Sequence, residues 1–291
     1  MSASRPSEQQ PSSAVDPAQR PRTPRAGRNL WAAIAVGLSM GAAILVALFT
    51  VRHVFIGIVA ATVAVSTWEL AGVMRRAGIG MSLPPVLVGG QAMVWLAWPF
   101  GREGILVAFV ITALVCLAWR FPSGAAGYVR DVSASVFSAA YVPGFAAFAT
   151  LLVVPADGAA RASCLMLAAV ASDVGGYAMG VLGGRHPMAP SISPKKSWEG
   201  FIGSLVVGTA AGALPVTLLL GGQLWQGVLF GAAIVLTATG GDLVESLIKR
   251  DLGVKDMGTV LPGHGGLMDR LDSLLPSAVV AWLLLSLLVP S

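Results

Sequence analysis

Acidic residues are concentrated in the last third of the chain, where their types and spacing could support metal and phosphate chemistry. Eight of the 14 Asp and Glu residues lie between Asp173 and Asp272. Hard divalent cations such as Mg²⁺ prefer carboxylate oxygens and are typically held by one or two of them, with phosphates completing the shell. Lys and Arg residues, which bind phosphate oxygens, are interspersed with these carboxylates. The region therefore predicts a site for metal- and phosphate-dependent chemistry.

The longest polar segment begins with a predicted helix, because no Pro or Gly interrupts residues 242–252. We expect this helix to continue until the glycine at position 253. On it, Asp242, Ser246 and Lys249 fall at i, i+4 and i+7, which places them on one face with Glu245 beside them.

A glycine-rich turn and two further carboxylates follow this helix. The turn Pro262–Gly266 leaves backbone amides open to a close approach by phosphates. Asp269 and Asp272 are three residues apart, and we expect them to open the last apolar run on a shared face. Asp242 and Asp269, one from each side of the loop, are our first choice for a metal-binding pair. His264 is either a phosphate donor or a residue that only organises the turn. The bases expected to neutralise polyphosphate charge are Lys249, Arg250, Lys255 and Arg270.

Two shorter segments add polar residues to this region. Asp173 lies near the middle of an apolar run, where it either serves a site between helices or only bonds a neighbouring hydroxyl. Gly175 and Gly176 would admit another backbone closely. Further along, Lys195 and Lys196 precede a predicted helix start, with Ser193 and Ser197 as candidate N-caps and Glu199 close by. Unpaired amides at a helix start favour an anion, although two lysines would equally serve as a membrane anchor.

The composition predicts that this region belongs to a membrane protein. The chain is 55% hydrophobic and 11% charged, whereas soluble domains carry about 25% charged residues. Cys116 and Cys164 both lie in apolar runs and predict neither a disulfide nor a zinc site.

A window of about 20 apolar residues predicts nine transmembrane helices, plus or minus one. The candidate spans are 30–51, 54–74, 83–100, 104–120, 132–154, 162–184, 201–221, 225–246 and 274–290. The predicted fold is an all-α polytopic membrane protein in three parts. These are a disordered basic tail over 1–28, N-terminal transmembrane helices over 29–160, and a C-terminal catalytic region over 161–291.

The distribution of basic residues predicts the orientation. With the N-terminus in the cytoplasm and the C-terminus outside, 16 of the 19 Lys and Arg residues face the cytoplasm. Only Arg52, Arg102 and Arg161 would lie outside, as the positive-inside rule favours. An even number of spans would break this alternation.

The polar segments resemble the signature of a known enzyme family. The run Ser246–Asp256 (SLIKRDLGVKD) together with Leu261–Asp272 (LPGHGGLMDRLD) is similar to the signature of phosphatidate cytidylyltransferases, also called CDP-diacylglycerol synthases. Ser172-Asp173 and Ser193–Gly200 resemble the family's other blocks, where the position of Ser197 is more often Thr. The resemblance is specific over about 172–273, and it extends to the N-terminal spans through hydropathy alone.

The resemblance implies a reaction between CTP and phosphatidate that gives CDP-diacylglycerol and pyrophosphate. It implies Mg²⁺ as cofactor, with a monovalent ion such as K⁺ as a candidate second ion. It also implies an active site on the cytoplasmic face of a bacterial-type cytoplasmic (inner) membrane, and it is compatible with a homodimer. Nothing predicts a nucleic-acid partner. The implied metal ligands or their orienting residues are Asp242, Asp269, Asp173, Glu245 and Asp272. The implied catalytic residues are Lys249, Arg250, Lys255, Asp256, His264 and Arg270. The implied substrate-binding residues are Lys195, Lys196, Glu199, Ser246, Gly265 and Gly266.

Other functions remain open from the residues alone. A CTP-dependent polyprenol or phytol kinase would use a similar cation-rich loop but would release CDP. An ion-coupled transporter would use Asp173 and Asp242 as ion ligands, although the sequence has no internal repeat of the kind that paired-half transporters show. A CDP-alcohol phosphotransferase is disfavoured, because its closely spaced acidic signature is absent from the sequence.

The predicted topology can be tested with reporter fusions. Fusions within residues 247–273 should report a cytoplasmic location, because this stretch carries four of the bases that set the orientation. A fusion after Arg102 should report the opposite side. Reporters that place 247–273 outside the cytoplasm would contradict the topology.

Overall fold

The computed structural model describes residues 41–42, 44–258, 260 and 265–289. The predicted basic tail and most of the predicted first span lie outside these residues, as does His264. Residues 44–50 form a helix immediately before the first long one.

The described chain is dominated by helices. The helices are α1 (Arg52–Arg76), α2 (Leu83–Trp119), α3 (Tyr128–Ala139), α4 (Phe145–Val153), α5 (Gly158–Gly183), α6 (Trp198–Leu220), α7 (Leu224–Asp251) and α8 (Leu274–Leu288). A π-helical turn, Ala140–Gly144, joins α3 to α4, and short 3₁₀ turns lie at Phe121–Ser123 and Met268–Arg270. Two short antiparallel strands, β1 (Pro187–Ala189) and β2 (Ser193–Ser197), form a hairpin before α6. The hairpin is an addition to the predicted all-α class.

Six helical segments of the described chain are long and apolar enough to cross a membrane. They are α1, α2 with its 3₁₀ extension to Ser123, α3 joined to α4, α5, α6 and α7. α8 is also apolar but has 15 residues. Large apolar side chains cover the outer faces, for example Leu182 at 82% and Leu218 at 76% exposure. Lipid solvates such side chains, so the predicted polytopic membrane class is confirmed.

α2 is a helical hairpin rather than one straight helix. Gly101 breaks the helix with φ 59° and ψ −138°, two residues after Pro99. A Cβ on Gly89 would overlap the Thr112 side chain, yet in a straight helix these residues would lie about 35 Å apart. The chain therefore reverses at Gly101, and its two halves correspond to the predicted spans 83–100 and 104–120. The total of nine stays a prediction, because most of the first span lies outside the described residues.

The helix ends separate into two groups, as the predicted alternation requires. At one end, Arg52 on α1 donates to the carbonyls of Pro155 and Ala156 after α4, each at 2.8 Å. Arg161 on α5 donates there to the carbonyl of Val289 at 2.6 Å. At the other end, Asp131 on α3 binds Arg120 after α2. Which end faces the cytoplasm stays a prediction.

Small residues bring α5, α6 and α7 into backbone contact. A Cβ on Gly175 would lie 2.6 Å from the carbonyl oxygen of Gly203, and a Cβ on Gly212 would lie 2.6 Å from Cα of Gly231. Close approach of this kind is how membrane helices pack through small residues. The prediction that glycines beside Asp173 admit another backbone is therefore confirmed.

The reversal of α2 predicts a specific intolerance at Gly89. Gly89→Ala should destabilise the protein by about 1–3 kcal/mol, because the added methyl overpacks against Thr112. The matched control is Gly72→Ala on α1, where no described atom outside the local helix backbone lies within 4 Å of the added Cβ. That control should leave the melting temperature in detergent unchanged or slightly higher. Equal effects of the two substitutions would contradict the hairpin.

Candidate active site

A cavity between α5, α6, α7 and the β-hairpin collects four of the predicted polar side chains. Its volume is about 210 Å³. Gly176 and Gly180 of α5 and Gly200 of α6 also line it. The charged side chains that line it are Asp173, Lys195, Lys196 and Asp242.

An ion pair joins the hairpin to α7 across this cavity. The Lys196 Nζ lies 2.8 Å from Oδ2 of Asp242 and 3.3 Å from the carbonyl oxygen of Thr239. The two charged side chains keep 25% and 31% of their surface exposed, so they are accessible to a bound ligand. Strand β2 holds Lys196 in place, because Ser193 and Ser197 on either side of it pair with β1.

The start of α6 is capped by the side chain predicted to cap it. Ser197 Oγ accepts a hydrogen bond from the Gly200 amide at 3.1 Å. Ser193, the other candidate cap, lies in β2 instead. Because α6 begins at the rim of the cavity, its positive end faces the same space as Lys195 and Lys196. This arrangement favours a negatively charged ligand.

Glu199 organises the turn that leads into the hairpin. Its carboxylate accepts hydrogen bonds from the amides of Arg185 and His186, each at 3.2 Å, and contacts the His186 ring. Glu199 is not among the residues that line the cavity. Its role in substrate binding stays a prediction.

α7 ends as predicted and carries a second charged group. The left-handed Gly253 ends the helix, and the amide of Val254 donates back to the carbonyl of Lys249 at 2.9 Å. Lys249 contacts Glu245 on its own helix and lies 3.0 Å from Oδ1 of Asp269. These two carboxylates are 0% and 8% exposed. Lys249 therefore ties α7 to the turn before α8.

Asp269 uses both of its oxygens in this turn. While Oδ1 faces Lys249, Oδ2 accepts hydrogen bonds from the amides of Met257 at 3.0 Å and Gly266 at 2.9 Å. Asp269 thus binds the backbone on both sides of the segment between Met257 and Gly266, which contains most of the predicted glycine-rich turn. Its pairing with Asp242 around a metal ion stays a prediction.

Asp272 lies close enough to the buried Glu245 for the charges of the two carboxyl groups to affect each other. Burial, followed by the negative charges of Asp242 and Glu245, raises the pKa of Asp272 well above its usual range. Oε1 of Glu245 is buried and, within the described chain, has no hydrogen-bond partner. A cation would offset the repulsion among these groups.

The donor set fits Mg²⁺ in the way that this ion is usually bound. Among the described residues, no three or more His, Cys, Asp or Glu side chains form a ready metal shell. Mg²⁺ usually takes only one or two protein carboxylates and completes its octahedron with water and phosphate oxygens. Asp173 and Asp242, which line one cavity opposite two lysines, supply such a pair.

Comparison with known proteins places the chain in a family. Residues 31–288 match the sequence model described as "Cytidylyltransferase family". The chain belongs to the cytidylyltransferase family. It is 54% identical to a phosphatidate cytidylyltransferase of Mycobacterium leprae, over 91% of this chain and 90% of that protein. It is 52% identical to one of Mycobacterium bovis, over 91% of each chain. It is also 31% identical to phosphatidate cytidylyltransferase 4, chloroplastic, of Arabidopsis thaliana, over 86% of this chain and 70% of that protein.

These relatives bear out the predicted resemblance. The kinase alternative is not favoured, since each of the named relatives is a cytidylyltransferase. The transporter alternative is not favoured for the same reason.

The remaining predicted site residues of this cytidylyltransferase-family chain lie around the loop. Ser246 is partly exposed on α7, Gly265 has φ 81°, and Gly266 donates to Asp269. Four further predicted residues are exposed to solvent, namely Arg250, Lys255, Asp256 and Arg270.

α8 begins at Leu274, so the expectation that Asp269 and Asp272 open this helix is wrong. They lie instead in and just after the 3₁₀ turn Met268–Arg270, where their side chains can reach different partners.

Two buried polar residues of the N-terminal half were missed by the sequence analysis. Glu69 on α1 accepts a hydrogen bond from the Met268 amide at 2.9 Å. Tyr141 lies in the π-helical turn, and its buried hydroxyl has no hydrogen-bond partner in the described chain. The available signal was a lone polar side chain inside an apolar span, which usually marks a functional or structural contact.

The buried ion pairs predict a large effect at Lys249. Lys249→Ala should destabilise the protein by about 3–5 kcal/mol, because it leaves Glu245 and Asp269 buried without their cation. Thermal unfolding in detergent would measure this. Adding Glu245→Gln to Lys249→Ala should recover part of the loss, since it removes one of the uncompensated charges.

Arg250→Ala is the matched control, because the neighbouring Arg250 is exposed and truncating it leaves the buried pairs intact. It should not change the melting temperature. A melting temperature that is the same for Lys249→Ala and for the unmodified protein would contradict the role given to Lys249.

Proposed function

We propose that the protein catalyses the reaction of CTP with phosphatidate to give CDP-diacylglycerol and pyrophosphate, a step of phospholipid biosynthesis. The observation that carries the proposal is the cavity in which Lys195 and Lys196 face Asp173 and Asp242 beside the start of α6. Such a space suits a polyphosphate bound with a cation. The relatives, named phosphatidate cytidylyltransferases and matching over 91% of the chain, supply the substrate class.

The reaction requires little proton transfer. An oxygen of the lipid phosphate, already anionic near neutral pH, forms a bond to the α-phosphorus of CTP. The bond from that phosphorus to the oxygen bridging to the β-phosphorus breaks, and pyrophosphate leaves with the electron pair. The main difficulty is bringing two polyanions together, so positioning and charge neutralisation should supply most of the catalysis.

The cavity residues would divide this work by position. Lys195, Lys196 and the amides at the start of α6 would hold phosphate oxygens of the nucleotide. Lys196 is now paired with Asp242, and we propose that a phosphate competes for this lysine when substrate binds. The bases around the loop, Lys249, Arg250, Lys255 and Arg270, would neutralise the remaining charge.

Mg²⁺ is the proposed cofactor, and when bound it would neutralise charge on the transferring phosphate and polarise its oxygens. Asp242 is the proposed main ligand, because the sequence predicts it as a ligand and the structure places it in the cavity. Asp173 lines the same cavity and is the proposed second ligand. Asp269 could join the sequence-predicted pair by exchanging its contact with Lys249. The buried carboxyls of Glu245 and Asp272 are the proposed place for a second, monovalent ion such as K⁺.

The proposed location is the cytoplasmic face of the cytoplasmic membrane. The excess of Lys and Arg in the loops at the cavity end supports this orientation. The orientation also gives cytosolic CTP and the head of a membrane lipid access to one site. A homodimer is proposed from the family resemblance, and light scattering of the purified protein would test it.

The reaction predicts a defined product pattern. Purified protein supplied with phosphatidate, labelled CTP and Mg²⁺ should release pyrophosphate and form a labelled lipid, whereas a lipid kinase would release CDP. Asp242→Asn and Asp173→Asn should each lower turnover by about 100-fold or more, because each removes a charge that holds the reacting phosphates through the cation. Thin-layer analysis of the labelled products measures both effects.

The control for the two Asp variants is Glu103→Gln. This carboxylate is exposed beside the reversal of α2, at the end of the molecule away from the cavity. It should retain full turnover. Release of CDP in place of pyrophosphate would overturn the proposed reaction, and near-normal turnover of Asp242→Asn would overturn the metal assignment.

A further inference from the structure

Glu69 is a buried carboxylate of the N-terminal half that contacts the loop between α7 and α8. It lies on α1 with 4% of its surface exposed. Its Oε2 accepts a hydrogen bond from the amide of Met268 at 2.9 Å, a residue 199 positions further along the chain. Glu69 therefore fixes the backbone of the residue immediately before Asp269.

Two loop glycines make room for this carboxylate. A Cβ on Gly258 would overlap the carboxyl group, and the three atoms nearest to it all belong to the Glu69 side chain. A Cβ on Gly266 would lie 2.8 Å from Oε2 of Glu69 and 2.6 Å from the amide nitrogen of Gly258. Neither glycine has a positive φ, so space rather than backbone conformation accounts for them. We call the residues after α7 up to Gly258 the first arm of the loop and the residues from Gly265 to α8 the second arm. Both arms contact Glu69, the first at Gly258 and the second at Gly266 and Met268.

The loop backbone connects Glu69 to the ion pair of Asp269 with Lys249. Gly266 and Met257, one from each arm, donate their amides to Oδ2 of Asp269. Oδ1 of the same carboxylate holds Lys249 on α7. A displacement of the loop away from Glu69 would therefore move Asp269 and the charge that faces it.

Stability alone gives a poor account of a carboxylate in this place. Oε1 of Glu69 is buried and, within the described residues, has no hydrogen-bond partner. A buried polar atom without a partner costs free energy, and a well-packed apolar side chain often stabilises a protein as well as a buried charge does. The presence of a carboxylate at position 69 is explained by its other oxygen, Oε2, which positions the backbone at Met268.

We propose that Glu69 is a positioning residue for catalysis, which sets the loop between α7 and α8 so that Asp269 and Lys249 stand correctly in the site. Glu69 contacts the loop backbone and not the reacting groups. The inference rests on the proposed cytidylyltransferase reaction, in which small errors of position are costly. A displacement of about 1 Å can reduce turnover by about 100-fold.

The first test compares two substitutions of Glu69 in the full-length protein. Glu69→Ala should lower kcat by about 10- to 100-fold, with a smaller change in KM for CTP, because the loop is misplaced. Glu69→Gln should retain most of kcat, since its amide oxygen still accepts the Met268 hydrogen bond within the same volume. Pyrophosphate release in detergent–phosphatidate micelles measures both. Equal loss in the two variants, or no loss in either, would overturn the proposal.

The second test uses the glycine that faces the carboxylate. Gly258→Ala should impair turnover in the unmodified protein, because its methyl displaces Glu69. In a Glu69→Ala background the same methyl has room, so the double variant should be no worse than Glu69→Ala alone. Gly266→Ala is the matched control, because its methyl also meets the backbone at Gly258 and should remain harmful in both backgrounds. If the loss of turnover in the double variant equalled the product of the losses in Glu69→Ala and Gly258→Ala, the two residues would act independently. That result would contradict a shared contact.

A readout that does not depend on activity separates this inference from the proposed reaction. Lys255 is an exposed trypsin site on the first arm of the loop. Cleavage there should be several-fold faster in Glu69→Ala and Gly258→Ala than in Glu69→Gln or the unmodified protein. Unchanged cleavage in all variants would overturn the inference. Absence of pyrophosphate release by the unmodified protein, with cleavage changed as expected, would instead overturn the reaction.

Discussion

The pairing of carboxylates with two lysines is the interaction on which the rest of the site depends. At one end of the helix bundle, α7 and the turn before α8 bring Glu245, Asp269 and Asp272 together with little access to water. Charges in such a place are costly unless they are paired, because the medium around them screens weakly. Lys249 compensates two of the carboxylates, and Lys196 compensates Asp242 across the cavity. These pairs balance the negative charge of the site, and in the proposed reaction the same lysines would bind phosphates.

The close packing of α5, α6 and α7 makes this arrangement possible. Glycines at the helix contacts let the backbones touch, and Ser204 on α6 donates a hydrogen bond to the carbonyl of Ser172 on α5 at 2.7 Å. Asp173 on α5 and Asp242 on α7 consequently line one cavity although α6 lies between them in sequence. Larger residues at these contacts would separate the two carboxylates and open the cavity to lipid.

The N-terminal half contributes to the site through tertiary contacts, although it contains none of the family's signature motifs. The resemblance to cytidylyltransferases rested on residues 172–273, and it gave no reason to assign a site residue to α1. Yet Glu69 on α1 contacts the backbone of the loop at Met268. The predicted site residues lie within one stretch of sequence, but Glu69, which contacts their loop, lies 199 positions before Met268.

The sequence by itself determined the membrane class, most span boundaries, the end of α7 at Gly253 and the cap at Ser197. Each of these depends on local spacing, because hydrophobic length and helix-terminal chemistry act over a few residues. The same spacing placed Asp242, Ser246 and Lys249 on one face of α7. The tertiary structure decided which partner each charged group has. Asp269 faces Lys249 and the loop amides, Asp242 faces Lys196, and Glu69 holds the loop. These pairings depend on how closely neighbouring helices approach, and that distance is set by small residues far apart in the sequence.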